Sequence, residues 1–185
     1  MEWAAQYRDL RDSRGREQTR PESRHDVWMS STPLPTVTWR ICPFDELTLR
    51  ELQNIFMARQ LVFSLEQNCA YLDADGHDEN AWHIAAWSAG HAVPLAYARL
   101  IPPGIKYAEP SIGRVITTSA ARGTGLGREL VRRSIALSHE VFPDHGIRIS
   151  AQSRLEAFYE EAGFIVQGGQ YMEDGIPHTE MLLPA

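Results

Sequence analysis

Residues 111–140 read SIGRVITTSAARGTGLGRELVRRSIALSHE, and the fold turns on how this stretch divides. Ser111–Thr118 is a β-branched run that reads as a strand. From about Leu126 to Glu140, apolar residues recur at the spacing of an amphipathic helix. Between the two, Arg122-Gly123-Thr124-Gly125-Leu126-Gly127 sets glycine at alternate positions, which leaves backbone N–H groups bare to an approaching anion. The helix turns its partially positive N-terminus toward the same spot, and Arg122 adds a full charge. The stretch therefore reads as strand, pyrophosphate cradle and helix.

The flanking sequence supplies the rest of a layered domain. Upstream, Thr36–Ile41 alternates as a strand. Phe44–Phe63 carries Leu47, Leu49, Leu52, Ile55, Phe56 and Val62 at helical spacing. Residues 66–80 are dense in carboxylates and turn formers and read as a loop, followed by strands at Trp82–Ser88 and Leu95–Ile101. Downstream come a strand at Ile147–Gln152, a short helix at Leu155–Ala162 closed by Gly163, and strands at Phe164–Val166 and His178–Leu183 around the turn Glu173-Asp174-Gly175. That order implies a mixed α/β (α+β) domain, with helices covering a mostly antiparallel sheet over residues 37–185. Residues 1–36 are polar, and a poorly ordered N-terminal tail is expected there.

Composition narrows the function classes. The 185 residues are 43% hydrophobic and 23% charged, with a net charge of −6 that argues against a nucleic-acid binder. No apolar run is long enough to cross a bilayer, and no signal-peptide stretch opens the chain, so no membrane partner is expected. Cys42 and Cys69 make no disulfide framework, which points to a reducing, cytoplasmic setting. Acidity suits a cationic substrate, although net charge also serves solubility alone.

Three phosphate-loop patterns compete for residues 122–127. A nucleoside-triphosphate P-loop needs Gly-Lys-Ser/Thr at its end, where Gly127-Arg128-Glu129 stands. A dinucleotide fingerprint needs a third glycine where Arg128 stands, and a parallel unit that opens the domain. The third pattern, Arg-x-x-Gly-x-Gly at Arg122, Gly125 and Gly127, resembles the acetyl-CoA loop of the GCN5-related N-acetyltransferase (GNAT) superfamily. Phe158-Tyr159 with Gly163-Phe164 is similar to that superfamily's FY-x-x-x-GF helix. Arg59–Cys69, Asp73-Ala74-Asp75-Gly76, Trp82-His83-Ile84, Ala96–Arg99, Ile112–Val115 and Glu173–His178 resemble its ElaA branch.

The resemblance implies the GNAT fold, with splayed central strands, and a transferase that takes acetyl-CoA as acyl donor and needs no metal. Main chain at Val115 and Ile116 would pair with the pantetheine amides, and Arg122, Gly123, Thr124, Gly125, Leu126 and Gly127 would hold the diphosphate. Tyr159 is the position that, in many relatives, gives a proton to the departing thiolate; its plainer role is packing. The acceptor is expected to be a small-molecule or peptide amine. Since many relatives pair through their sheets, a homodimer is among the assemblies implied.

Amine acetylation also needs a base. Glu66, at the end of the first long helix, is the first choice, against the plainer role of a surface carboxylate near a helix end. Asp73 and Asp75 are candidates to hold a cationic acceptor. A calcium loop over Asp73, Asp75, Gly76 and Asp78 fails because Ile84 stands where a bidentate glutamate is required. His83 and His178 are further candidates as bases or substrate contacts, each weighed against a hydrogen-bonded strand histidine. Of Arg99 and Arg114, one is expected to shape the acceptor pocket and the other to pair with a carboxylate. Two other readings stay open: a CoA-binding sensor without catalysis, and an acylhomoserine-lactone-synthase-like acyltransferase.

Overall fold

A computed structural model describes residues 36–185; apart from Thr36, the expected tail over 1–36 lies outside the described residues. The element order is strand β1 (Thr38–Pro43), helix α1 (Leu49–Gln60), β2 (Trp82–Trp87), β3 (Ala96–Ile101), β4 (Ser111–Thr117), α2 (Leu126–Val141), β5 (Ile147–Gln152), α3 (Glu156–Glu160), β6 (Ile165–Glu173) and β7 (Ile176–Leu183). This is the order expected from the sequence, folded into one seven-stranded sheet with strands in the order β1-β2-β3-β4-β5-β7-β6. Only the β4–β5 contact is parallel.

The first helix departs from the expected Phe44–Phe63. It starts at Leu49, where Thr48 and Glu51 form a capping box that satisfies backbone N–H groups at both positions. Its far end runs on as a π-helical turn, Leu61–Glu66. The last two strands are longer than expected. Asp174 and Gly175 both take positive φ, 49° and 78°, which makes a tight hairpin and extends pairing back to Ile165.

The two faces of the sheet are covered unequally. On one face, Leu126, Leu130, Val131 and Leu137 of α2, with Tyr159 and Phe164, pack on inward residues of β2–β5 and β7. On the other, Ile55, Ala58 and Val62 of the α1 segment reach only Ala85, Tyr97 and Ile116, that is, strands β2–β4. On this second face β5 and β7 present polar side chains instead.

Candidate functional site

The sheet opens between β4 and β5. They share one residue pair, Ser111↔Arg148, and then diverge, so the β5-facing edge of β4 beyond that point has no strand partner. On its other edge β4 carries a bulge: two steps along β3, Tyr97 to Arg99, match three along β4, Ile116 to Gly113. The extra residue puts Arg114 in the left-handed region, φ 52°, a conformation that a non-glycine residue holds only under constraint from its surroundings. A cleft of about 150 Å³ opens at this split, lined by Val115, Ser150, Gln152, Tyr159 and His178 among others. Val115 thus lies on the cleft, while the side chain of Ile116 is buried beneath α1.

The glycine loop stands beyond the end of β4. Gly123 and Gly125 hold φ of 76° and 86°, which a side chain would resist, and a Cβ at Gly123 would meet only open space. Gly127 lies in ordinary contact range of Thr117 and Phe158 side chains. Thr124 Oγ1 donates to the Ala121 carbonyl at 2.7 Å and fixes the turn into α2. The first turn of α2 thus follows a loop that Thr124 braces and that is open at Gly123. These features fit an anionic diphosphate.

Tyr159 is buried and lines the cleft from α3. Burial pushes its phenol well above the ordinary value, so the hydroxyl stays protonated. It makes no hydrogen bond among the described residues, and the flanking Phe158 and Phe164 rings pack edge-on against it. The ring is held by packing and the hydroxyl is left available.

Three of the expected acceptor contacts take a different place. Asp73 and Asp75, with Asp78, form a network with Arg59, Arg99 and Arg114. Arg59 donates to Asp73 Oδ2 at 2.9 Å and to Asp78 Oδ1 at 2.7 Å, and Arg99 grips both oxygens of Asp75 at 2.7 Å. Arg59 is 0% exposed and Arg99 is 2% exposed. Burial pushes Asp75 and Asp78 up, but guanidinium hydrogen bonds and charge more than offset it and hold both below the usual carboxylate range. Three carboxylates bound to three guanidiniums are in no position to bind a cationic acceptor; the network instead pins the loop after α1 to the sheet. Arg114 belongs to it too, with Nε 2.8 Å from Asp73 Oδ1 but not aligned for a hydrogen bond there. It also lines the cleft, as does Arg99, so both arginines pair with carboxylates and both lie on the cleft lining.

His83 is fully buried, with Nδ1 2.8 Å from the Tyr97 hydroxyl and Nε2 3.0 Å from the Asp78 carbonyl. Burial depresses its basicity, and it does not line the cleft, so it is a core histidine rather than a substrate contact. Glu66 also lies off the cleft lining; its carboxylate pairs with Arg122 of the glycine loop. That pairing sets it on the glycine-loop side of the molecule. His178 does line the cleft. Sequence reading overlooked Ser150, Tyr107 and Glu173 on the same lining, although the alternation Arg148-Ile149-Ser150-Ala151-Gln152 signalled a polar face. Among the described residues, no group of three or more His, Cys, Asp or Glu is placed to hold a metal ion. No described helix is long and apolar enough to cross a membrane.

Comparison with known proteins agrees with this geometry. Residues 74–184 match the family described as acetyltransferase (GNAT) domain. The chain is 40% identical to a UPF0039 protein of Synechocystis over 146 residues, 79% of this chain and 94% of that one. It is 36% identical to Protein ElaA of Escherichia coli over 148 residues, 78% and 95% of the two chains. A crystal structure of an acyl-CoA N-acyltransferase from Pseudomonas aeruginosa superposes with a TM-score of 0.76 at 37% identity, covering 81% of this chain and 100% of that one.

Proposed function

The chain belongs to the GNAT acetyltransferase family, and from that premise we propose that it is an acetyl-CoA-dependent N-acetyltransferase acting directly on a primary amine. The observation that carries the proposal is the split of β4 from β5 beside a bulge, with a left-handed glycine loop at the end of the same strand. A thioester arm laid along the free edge of β4 would find main-chain partners at Val115 and Ile116. Its diphosphate would meet Arg122, Gly123, Thr124, Gly125, Leu126 and Gly127. Acetyl-CoA is a co-substrate in this reading and supplies the activated acyl group.

The residues then divide the work. Fixing donor and acceptor in one cleft removes much of the entropic barrier to transfer. Backbone N–H groups at the bulge are the natural donors to a carbonyl oxygen that gains charge. Tyr159, neutral and unpaired, gives its proton to the departing thiolate. Direct transfer is favoured over an acyl-enzyme because Cys69 has no base beside it: its sulfur meets only the Gln67 carbonyl, at 3.8 Å. The acceptor is a small-molecule or peptide amine, and a net charge of −6 does not favour nucleic acid. Two free, buried cysteines fit a reducing compartment, and we place the reaction in the cytoplasm.

The test is product analysis. Purified protein, acetyl-CoA and a panel of primary amines should yield free CoA thiol together with acetylated amine, detected by mass spectrometry. Thiol release without any acetylated amine would contradict amine transfer.

A further inference from the structure

The helices leave part of the sheet open, and the cleft runs onto it. On the face that α1 covers over β2–β4, the remaining strands present Ser150 and Gln152 of β5, His178 and Glu180 of β7, and Tyr171 and Glu173 of β6. Ser150, Gln152, His178 and Glu173 line the cleft. This polar floor and the β4–β5 split are thus one continuous site.

Its charges are unevenly partnered. Arg148 binds both oxygens of Glu109, at 2.9 and 2.7 Å, and Glu180 at 3.1 Å. Glu173 accepts from Ser150 Oγ at 2.8 Å, and neither it nor Asp174 has a cationic partner among the described residues. Tyr107 lines the same cleft, and burial, then Tyr171, Glu180 and Glu173, push its phenol up to about 12 against the pull of Arg148. The Tyr107 ring already takes a cation on an alkyl chain, the Lys106 ammonium 5.2 Å from its centroid.

His178 supplies a base at the same place. Its Nδ1 lies 2.9 Å from the Ile176 carbonyl oxygen and so carries the ring hydrogen, which leaves the lone pair on Nε2. Nε2 has no partner among the described residues. Tyr159, whose hydroxyl is equally unpartnered and whose ring is buried, lines the same cleft. A proton acceptor and a proton donor thus share one cavity.

We propose that this floor binds the acceptor, with His178 Nε2 taking the proton of the attacking nitrogen and Glu173 and Asp174 holding a second ammonium, so that the acceptor is a small aliphatic diamine. The proposal rests on the N-acetyltransferase reading above. One ammonium gives a proton to His178, and the freed nitrogen lone pair forms the N–C bond to the thioester carbonyl carbon. The C–S electron pair leaves with sulfur. Tyr159 Oη protonates the sulfur and takes back the second proton from nitrogen. The balance is one acetylated diamine, one CoA thiol and one proton released from His178 to solvent.

The experiment compares 1,4-diaminobutane with 1-aminobutane as acceptors for wild type, His178→Gln and the double variant Glu173→Gln/Asp174→Asn. CoA titration of each variant serves as the control for folding. His178→Gln should lower kcat roughly 100-fold with either amine and leave KM near its wild-type value. The double variant should raise KM roughly tenfold for the diamine, as expected for two partly exposed ion pairs, and shift the monoamine KM by a much smaller factor. Undiminished turnover in His178→Gln, or equal KM shifts for both amines, overturns the proposal. So does a wild-type protein that binds CoA and acetylates neither amine. Failure of wild type to bind CoA at all overturns instead the transferase reading beneath it.

Discussion

Two sets of ion pairs flank the cleft, and they differ in what water can reach. Arg59, Arg99 and Arg114 meet Asp73, Asp75 and Asp78 in the interior, where Arg59 is wholly buried. Arg122 meets Glu66 at the surface, with side chains 48% and 34% exposed. The first set cannot release a member without stranding a charge in a poorly solvated place. The second can exchange one anion for another at small cost, because water and salt screen it. Charge of the same chemistry is therefore structural in one region and available to a ligand in the other, and burial decides which.

The widest test of this contrast is Arg59→Met. It removes one guanidinium from the buried set, leaves Asp73 and Asp78 short of a partner, and should cost about 3–5 kcal/mol in urea unfolding. A cost below about 1 kcal/mol would show that the network is no more important than a surface pair. Tyr159 is buried like the first set, yet unpaired. Tyr159→Phe should lower kcat on the order of 100-fold while CoA affinity stays constant. Unchanged turnover, measured by thiol release, would remove it from the reaction.

Acid should act on the buried side first. His83, Asp75 and Asp78 all have folded pKa values below their ordinary ones, 6.5 for His83 and 3.8 for the aspartates. For such groups the unfolded chain binds protons more readily, so their contribution to stability is complete above the ordinary pKa and is lost as pH falls below it. The urea midpoint should hold above about pH 7, decline below about 6.5 through His83, and drop further below about 4 through the aspartates. A midpoint that rises on acidification would contradict the signs. The smallest effect belongs to the exposed set. Glu66→Gln should leave stability within about 0.5 kcal/mol and strengthen CoA binding severalfold at low salt, since Arg122 then has no competing carboxylate. A stability loss comparable to that of Arg59→Met would erase the distinction.

Much of this arrangement was legible in the chain because it rests on local rules. Apolar period and the placing of glycines marked the order of elements, the strand-to-helix loop and the Gly163 stop. The hairpin was underestimated because β6 is exposed along most of its length, and Gln167-Gly168-Gly169-Gln170 has no alternation to read. The roles of Asp73 and Asp75 escaped for another reason, while the hydrogen-bonded strand histidine weighed for His83 is what the structure shows. Whether a carboxylate is free or bound depends on partners distant in sequence: Arg99 is 24 residues from Asp75, and Arg114 is 39. Spacing alone does not reveal them. Residue type suggested a substrate site, whereas burial and ion pairs made the aspartates part of the scaffold; the polar floor that carries His178 is visible only once the strands are laid side by side.

The central claim is that the loop at 122–127 and the split of β4 from β5 form one CoA clamp. Isothermal titration of CoA into wild type and Gly125→Glu tests it most directly, since glutamate there adds a charge and a side chain at φ 86°. The account predicts one saturable site in wild type and an affinity lower by about 100-fold or more, close to 3 kcal/mol, in the variant. Equal affinity in a folded variant would contradict it.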